Sequence, residues 1–165
     1  MMVEIKSAQN ENFDEIWAII NEVLKKGDTY PFAPETPKTE ACQIWMKYPK
    51  ATYVAYSEGE IVGTYYIKPN QPGLGSHVCN AGYMVISKAR GKGIGRAMCR
   101  HSLDEARKLG FKAMQYNLVV STNAGAVKLW QDLGFEIIGT LPKAFNHRKK
   151  GFVDAFVMYQ WLGEK

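Results

Sequence analysis

The sequence predicts a mixed α/β domain, one sheet with helices on its faces, antiparallel in its first half and βαβ-like from the middle onward. Three observations carry that expectation. Residues 51–68, "ATYVAYSEGEIVGTYYIK", read as strand, tight turn at Glu58-Gly59 and strand, an antiparallel hairpin. From residue 77 on, strand-like and helix-like patterns alternate. The 165 residues, 46% hydrophobic and 22% charged, suit a single domain spanning 1–165 with a sizeable core.

Each element has its own signal. "VEIKSA" (3–8) alternates like a short strand. Asn12 or Asp14 is placed to cap a helix that carries Ile16, Ile19, Ile20 and Val23 on one face and stops at Gly27. "TYPFAPETPKT" (29–39), with three prolines, is a loop. Residues 39–48 make a second short helix with Ile44, Trp45 and Tyr48 at core spacing. The hairpin follows, then a loop at 69–76 and a strand at 77–86, "HVCNAGYMVI". A helix over about 93–109 sets Cys99, Ser102, Leu103 and Ala106 against Arg96, Arg100, Asp104 and Arg107. A strand at 113–119 precedes a helix from Asn123 with Ala126, Leu129, Trp130 and Leu133 on one face, ended by Gly134. Strands at 135–141 and 152–162 close the chain.

Composition narrows the function classes. No apolar run is long enough to span a bilayer, and the first residues lack the apolar core of a secretory signal, so a cytoplasmic protein is expected. Cys42, Cys79 and Cys99 have no metal-like spacing and read as reduced core residues; no metal is expected. The net charge of +5 suits an anionic partner but is modest for nucleic-acid binding. Its placement says more. Arg90, Lys92, Arg96 and Arg100 cluster together, and "HRKK" (147–150) forms a second group on an expected loop, read as a solvated surface or as a lure for an anionic substrate.

The first cluster is interleaved with glycines in "ARGKGIGRAM" (89–98), where a strand gives way to a helix. Glycines there allow a tight turn and close approach to main-chain amides at the positive pole of the helix dipole. Such a site binds phosphate. Neither the G-x-x-x-x-G-K-[ST] loop nor the G-x-G-x-x-G dinucleotide fingerprint fits, since Arg96 stands where the latter needs its third glycine.

Arg90-x-x-Gly93-x-Gly95 after "AGYMVI" resembles the acetyl-CoA loop of the GNAT superfamily of N-acetyltransferases, and "STNAGAVKLWQDLGFEIIGT" (121–140) resembles that superfamily's N-x-x-A-x-x-L-Y-x-x-L-G-F segment. The likeness is strongest over 52–162 and extends to bacterial and fungal members acting on small amino acids or analogues. It implies a mostly antiparallel twisted sheet, with strands 77–86 and 113–119 as a splayed parallel pair between which acetyl-CoA and an amine meet. Tyr83, Met84 and Val85 are implied donor contacts, the main chains of Met84 and Val85 pairing with the pantetheine arm. The Val85 N–H would face the thioester carbonyl as oxyanion donor. N–H groups of Gly91, Lys92, Gly93, Ile94, Gly95 and Arg96, beside the Arg90 side chain, would hold the pyrophosphate. Asn123 would cap its helix and bond the pantetheine.

Trp130 stands where many relatives place a tyrosine that protonates the thiolate, and an indole cannot deliver a proton. It reads as a cofactor contact or a core anchor, leaving Tyr83, Tyr116, a water or no acid for the sulfur. No Asp, Glu or His lies in the two strands apart from His77. Asn80 and Asn117 read either as amides paired within the fold or as catalytic groups orienting the amine, a substrate carboxylate or a water. Asp154 reads as a paired structural carboxylate or a substrate contact. The expected function is acetyl transfer to a small amine, an amino acid or analogue, by a possible homodimer with no nucleic-acid or membrane partner. A protein N-terminus, an antibiotic amine and a non-catalytic acyl-CoA-binding role are the alternatives.

Overall fold

The computed structural model describes residues 2–164. Its strands are β1 (Val3–Ser7), β2 (Ala51–Ser57), β3 (Glu60–Pro69), β4 (Val78–Val85), β5 (Ala113–Val120), β6 (Glu136–His147) and β7 (Gly151–Trp161); its helices are α1 (Phe13–Lys26), α2 (Lys38–Cys42), α3 (Ile94–Lys108) and α4 (Ala124–Asp132). The strands join one sheet in the order β1-β2-β3-β4-β5-β7-β6. Neighbours run antiparallel except β4 and β5, which are parallel. This is the mixed sheet that the alternation in the sequence predicts.

Two apolar clusters sandwich the sheet. Ile16, Ile19, Ile20, Val23 and Leu24 repeat at helical spacing and bury the inner face of α1 against Val54, Tyr66 and Met84. Acidic residues in the first turn of α1, lysines in its last and a left-handed Gly27 (φ 61°) fix its ends. On the opposite face, Ile94, Met98, Cys99, Leu103 and Ala106 of α3 pack on Tyr53, Tyr65, Ile67, Cys79 and Met114. Val127, Trp130 and Leu133 lay α4 beside the same cluster.

Several local expectations change. Asn12 makes no cap bond to α1; its Oδ1 instead accepts the Gln9 N–H at 2.8 Å and closes a short turn before the helix. Residues 39–48 do not form one regular helix. α2 passes into a π-turn over Gln43–Lys47, where the Tyr48 N–H reaches the Gln43 carbonyl, and the shifted register turns Tyr48 out to 70% exposure. β6 runs well past residue 141, because a bulge carries the chain over Pro142. There Lys143 adopts φ 53° and donates its N–H to the Asp154 carboxylate at 2.9 Å. Asp154 is therefore structural.

The "HRKK" group is likewise not a free loop. His147 ends β6, is 8% exposed and accepts the Lys149 and Lys150 N–H groups on Nδ1. Arg148 docks on the C-terminal end of α1, through its N–H to the Gly27 carbonyl and its guanidinium to the Lys25 carbonyl. It is committed to holding the β6–β7 turn against the helix.

A hydrogen-bond chain ties α2 and its π-turn to the sheet. The buried Trp45 Nε1–H donates to Thr64 Oγ1 at 2.9 Å, and the Thr64 hydroxyl donates to the Tyr53 carbonyl at 2.8 Å. Thr64→Val keeps the shape and removes both bonds, stranding the indole N–H away from water. The expected cost is about 1–3 kcal/mol, seen as a lower denaturant midpoint at unchanged slope. An unchanged midpoint would show that the chain adds nothing to stability.

Candidate functional site

The site begins where β4 and β5 part. They are in register only at Val78–Ala113 and Cys79–Met114. One step further, Asn80 spans the opening with its side chain: Nδ2 donates to the Gln115 carbonyl at 3.0 Å, while Oδ1 accepts the Tyr66 hydroxyl at 3.4 Å. β5 is irregular against β7 between Tyr116 and Val119, which carries it further from β4.

Strand parity decides which main-chain groups face the gap. The Ile86 N–H donates to Val62 of β3, so Met84, Gly82 and Asn80 also turn their N–H and C=O groups toward β3. Ala81, Tyr83 and Val85 turn theirs toward the gap. Met84, expected to offer its main chain there, is thus turned the other way, and its side chain is buried against α1.

A cleft of about 810 Å³ passes through this fork. At its α3–α4 end lie Arg90, Gly91, Gly93, Ile94, Gly95, Arg96, Asn123, Gly125, Ala126, Leu129 and Trp130. Gly91 and Gly93 hold φ 73° and 80°, and a side chain on either would project into open space. The first bond within α3 runs from the Ala97 N–H to the Gly93 carbonyl, so the Ile94, Gly95 and Arg96 N–H groups have no helical acceptor. The Arg90 guanidinium approaches the Val85 carbonyl, and Arg96 pairs with Asp132 of α4 at 3.1 Å. These features make an arrangement between two helices that suits an anion. Lys92 lies outside the cleft wall.

Tyr83 and Tyr116, which line the cleft, join a hydroxyl cluster in its floor. The Tyr83 hydroxyl bonds Ser102 Oγ at 2.6 Å and the Tyr116 hydroxyl at 2.9 Å, and Tyr116 contacts Cys99 Sγ. Burial raises both phenols well above the ordinary tyrosine value and pushes the Cys99 thiol up to about 11, so all three keep their protons. The Trp130 ring leans on both tyrosines, with centroids 5.0 and 5.1 Å away, and also lines the cleft. α4 has no fully buried residue, since Ala126 and Leu129 border the cleft rather than the core. Asn123 caps α4 through Oδ1, which accepts the Ala126 N–H at 3.4 Å.

The other end opens on the α1 face, among Tyr30, Pro31, Phe32, Tyr66, Lys68, Asn80, Gly82 and Asn117. Asn117 belongs to an exposed amide chain, accepting from Gln115 and donating to Asn70 at 2.7 Å. The Tyr30 hydroxyl donates to the Tyr83 carbonyl at 3.0 Å. Its oxygen would lie 2.9 Å from a Cβ on Gly82, a close approach that only glycine permits. Sequence reasoning missed this wall. Its signal was the pair of aromatics inside the proline-stiffened loop "TYPFAP", where packing alone does not require them. No Asp, Glu or His side chain lines the cleft among the described residues.

Comparison with known proteins gives a consistent picture. The model of the acetyltransferase (GNAT) family matches residues 13–135. N-acetyltransferase aca1 of Schizosaccharomyces pombe is 32% identical over 177 residues, which cover 94% of this chain and 84% of that protein. The L-amino acid N-acetyltransferase AaaT of Escherichia coli is 32% identical over 106 residues, 64% of each chain. The structure of a GCN5-related N-acetyltransferase from Kribbella flavida superposes with a TM-score of 0.91 at 40% identity, covering 96% of this chain and 97% of that one.

The hydroxyl cluster makes a test independent of any ligand. In the unfolded chain tyrosines ionise near pH 10, whereas Tyr83 and Tyr116 in the fold hold their protons to higher pH. Above about pH 10 the unfolded state therefore binds fewer protons, and stability falls as pH rises; below it these groups contribute no slope. Tyrosinate absorbance of the folded protein should account for fewer than its nine tyrosines, the rest appearing only on unfolding. Reversible titration of all nine in the native state would contradict the burial described.

Proposed function

The chain belongs to the acetyltransferase (GNAT) family, and on that premise we propose that it transfers the acetyl group of acetyl-CoA directly to the amine of a small molecule, an amino acid or a close analogue. One observation carries this reading: a cleft crosses the sheet at the fork, cationic and rich in free amides at one mouth and free of carboxylates at the other. Its volume lies within the range typical of small-ligand sites, about 300–1,000 Å³.

The residues fit the donor. The amides from Gly91 to Arg96, with Arg90 beside them, suit a diphosphate, and the glycines leave the approach open. The gap-facing Tyr83 N–H and Val85 C=O suit the amides of a pantetheine arm, added as a strand would be. Asn123 keeps its side-chain NH₂ for the same arm, and Trp130 flanks it. Acetyl-CoA supplies the activated acyl group. The chain supplies position and the Val85 N–H as a donor to developing negative charge on the acyl oxygen.

The acceptor enters from the α1 face. With no acidic or histidine side chain in the wall, its proton leaves to water, and Asn80 and Asn117 serve by position. The lack of carboxylates disfavours polyamines and lysine-rich peptides, whose cations need acidic partners. The amino acid acceptor named for the Escherichia coli relative agrees with this choice.

The test is thiol release from acetyl-CoA over a panel of free amino acids, amino-acid analogues, polyamines and N-terminal peptides. Free amino acids or analogues should turn over fastest; turnover confined to polyamines or peptides would overturn the reading. Gly93→Val, which adds a branched side chain at φ 80°, should weaken acetyl-CoA binding at least about tenfold while the domain stays folded. Unchanged affinity by calorimetry would remove the cradle from the site.

A further inference from the structure

We propose that Lys68 sets acceptor specificity by holding a carboxylate of the incoming amine, so that the preferred acceptor is a free amino acid with an apolar side chain. This rests on the small-amine reading above and assigns the α1-face mouth its ligand chemistry. Lys68 lies near the end of β3, directly across from Asn80 in the β3–β4 register. It shares a sheet face with Tyr66, and its ammonium stands 5.2 Å from the centre of that ring. The side chain is half-buried and lines the cleft.

The charge around it is uncompensated. Among the described residues Lys68 joins no ion pair, and the cleft wall offers it no acid. The other lining cations, Arg90 and Arg96, belong to the α3 end, where Arg96 already has Asp132. The α1-face mouth thus carries one cation, held over an aromatic face that tolerates it without neutralising it. A partly desolvated ammonium in that state favours an anion.

The remaining wall defines the rest of the ligand. Tyr30 and Phe32 stack at 6.1 Å between centroids, and Pro31 sits between them, giving an apolar side. Lys68 pairs in register with Asn80, and the α1-face mouth that it lines opens toward the gap-facing main chain of β4. A carboxylate on Lys68, an apolar side chain against Tyr30 and Phe32, and the amine toward the gap make one consistent placement.

The experiment compares apolar amino acids with their carboxamides, each pair differing only in the anionic group. Wild-type protein should prefer the acids. In Lys68→Met the KM for the acids should rise on the order of ten- to hundredfold, while the KM values for the carboxamides and for acetyl-CoA and the unfolding midpoint stay put. Lys68→Arg, which keeps the charge, should restore part of the preference. A preference for acids that survives Lys68→Met, or a wild type that takes acids and carboxamides equally, overturns the role of Lys68 and leaves the small-amine reading standing. Turnover of neither set by the wild type removes both.

Discussion

The divergence of β4 from β5 is the constraint on which the rest depends. Two parallel strands that stop pairing after Val78–Ala113 and Cys79–Met114 expose main-chain groups in mid-sheet, where they would ordinarily be satisfied by a neighbour. The fold answers this in pieces. The Asn80 amide bonds the first free carbonyl of β5, the Tyr30 hydroxyl bonds the Tyr83 carbonyl, and the Arg90 guanidinium reaches the Val85 carbonyl. The Tyr83 and Val85 N–H groups that still face the gap are those that the proposed function assigns to the donor.

The two faces of the sheet are specialised accordingly. α3 and α4 bring a helix N-terminus and arginines to one side, while α1 and the 29–32 loop bring aromatic rings to the other. Between them, the Tyr83–Tyr116–Ser102 cluster stiffens the floor with hydroxyls that burial keeps protonated. Trp130 leans on that floor and borders the cleft, so its packing and lining positions belong to one placement.

Legibility in the sequence follows the range of the interactions. The α1 stripe, the Glu58-Gly59 hairpin and the glycine turn before α3 rest on local spacing and on backbone conformations reserved for glycine, and they are found where they were read. The two family-like segments lie apart in the sequence, and Arg90, Gly93, Gly95, Asn123 and Trp130 from them line one end of the cleft. The π-turn after α2 and the bulge in β6 depend on partners far along the chain, such as Asp154 for Lys143, and no local pattern announces them. Met84 turns away from the gap for a related reason: which of two adjacent residues faces it is set by pairing with β3 and not by local sequence. Tyr30, Phe32 and Lys68 reach the cleft by tertiary contact, so their residue types suggested a loop and a strand end but no common site.

The bulge at Lys143 also bears on how the molecule behaves in a crowded solution. β6 is the outer strand of the sheet and exposes Ile137, Ile138 and Leu141, the kind of open edge onto which stray strands add. Pro142 withholds a donor, and the left-handed Lys143 beside it bends the edge and sets a charge there. Irregularities between Ile137 and Gly139 and between Leu141 and Phe145 break the apolar edge into short pieces. By accepting the Lys143 N–H from β7, Asp154 holds that kink in place, which makes the edge an awkward template for a further strand.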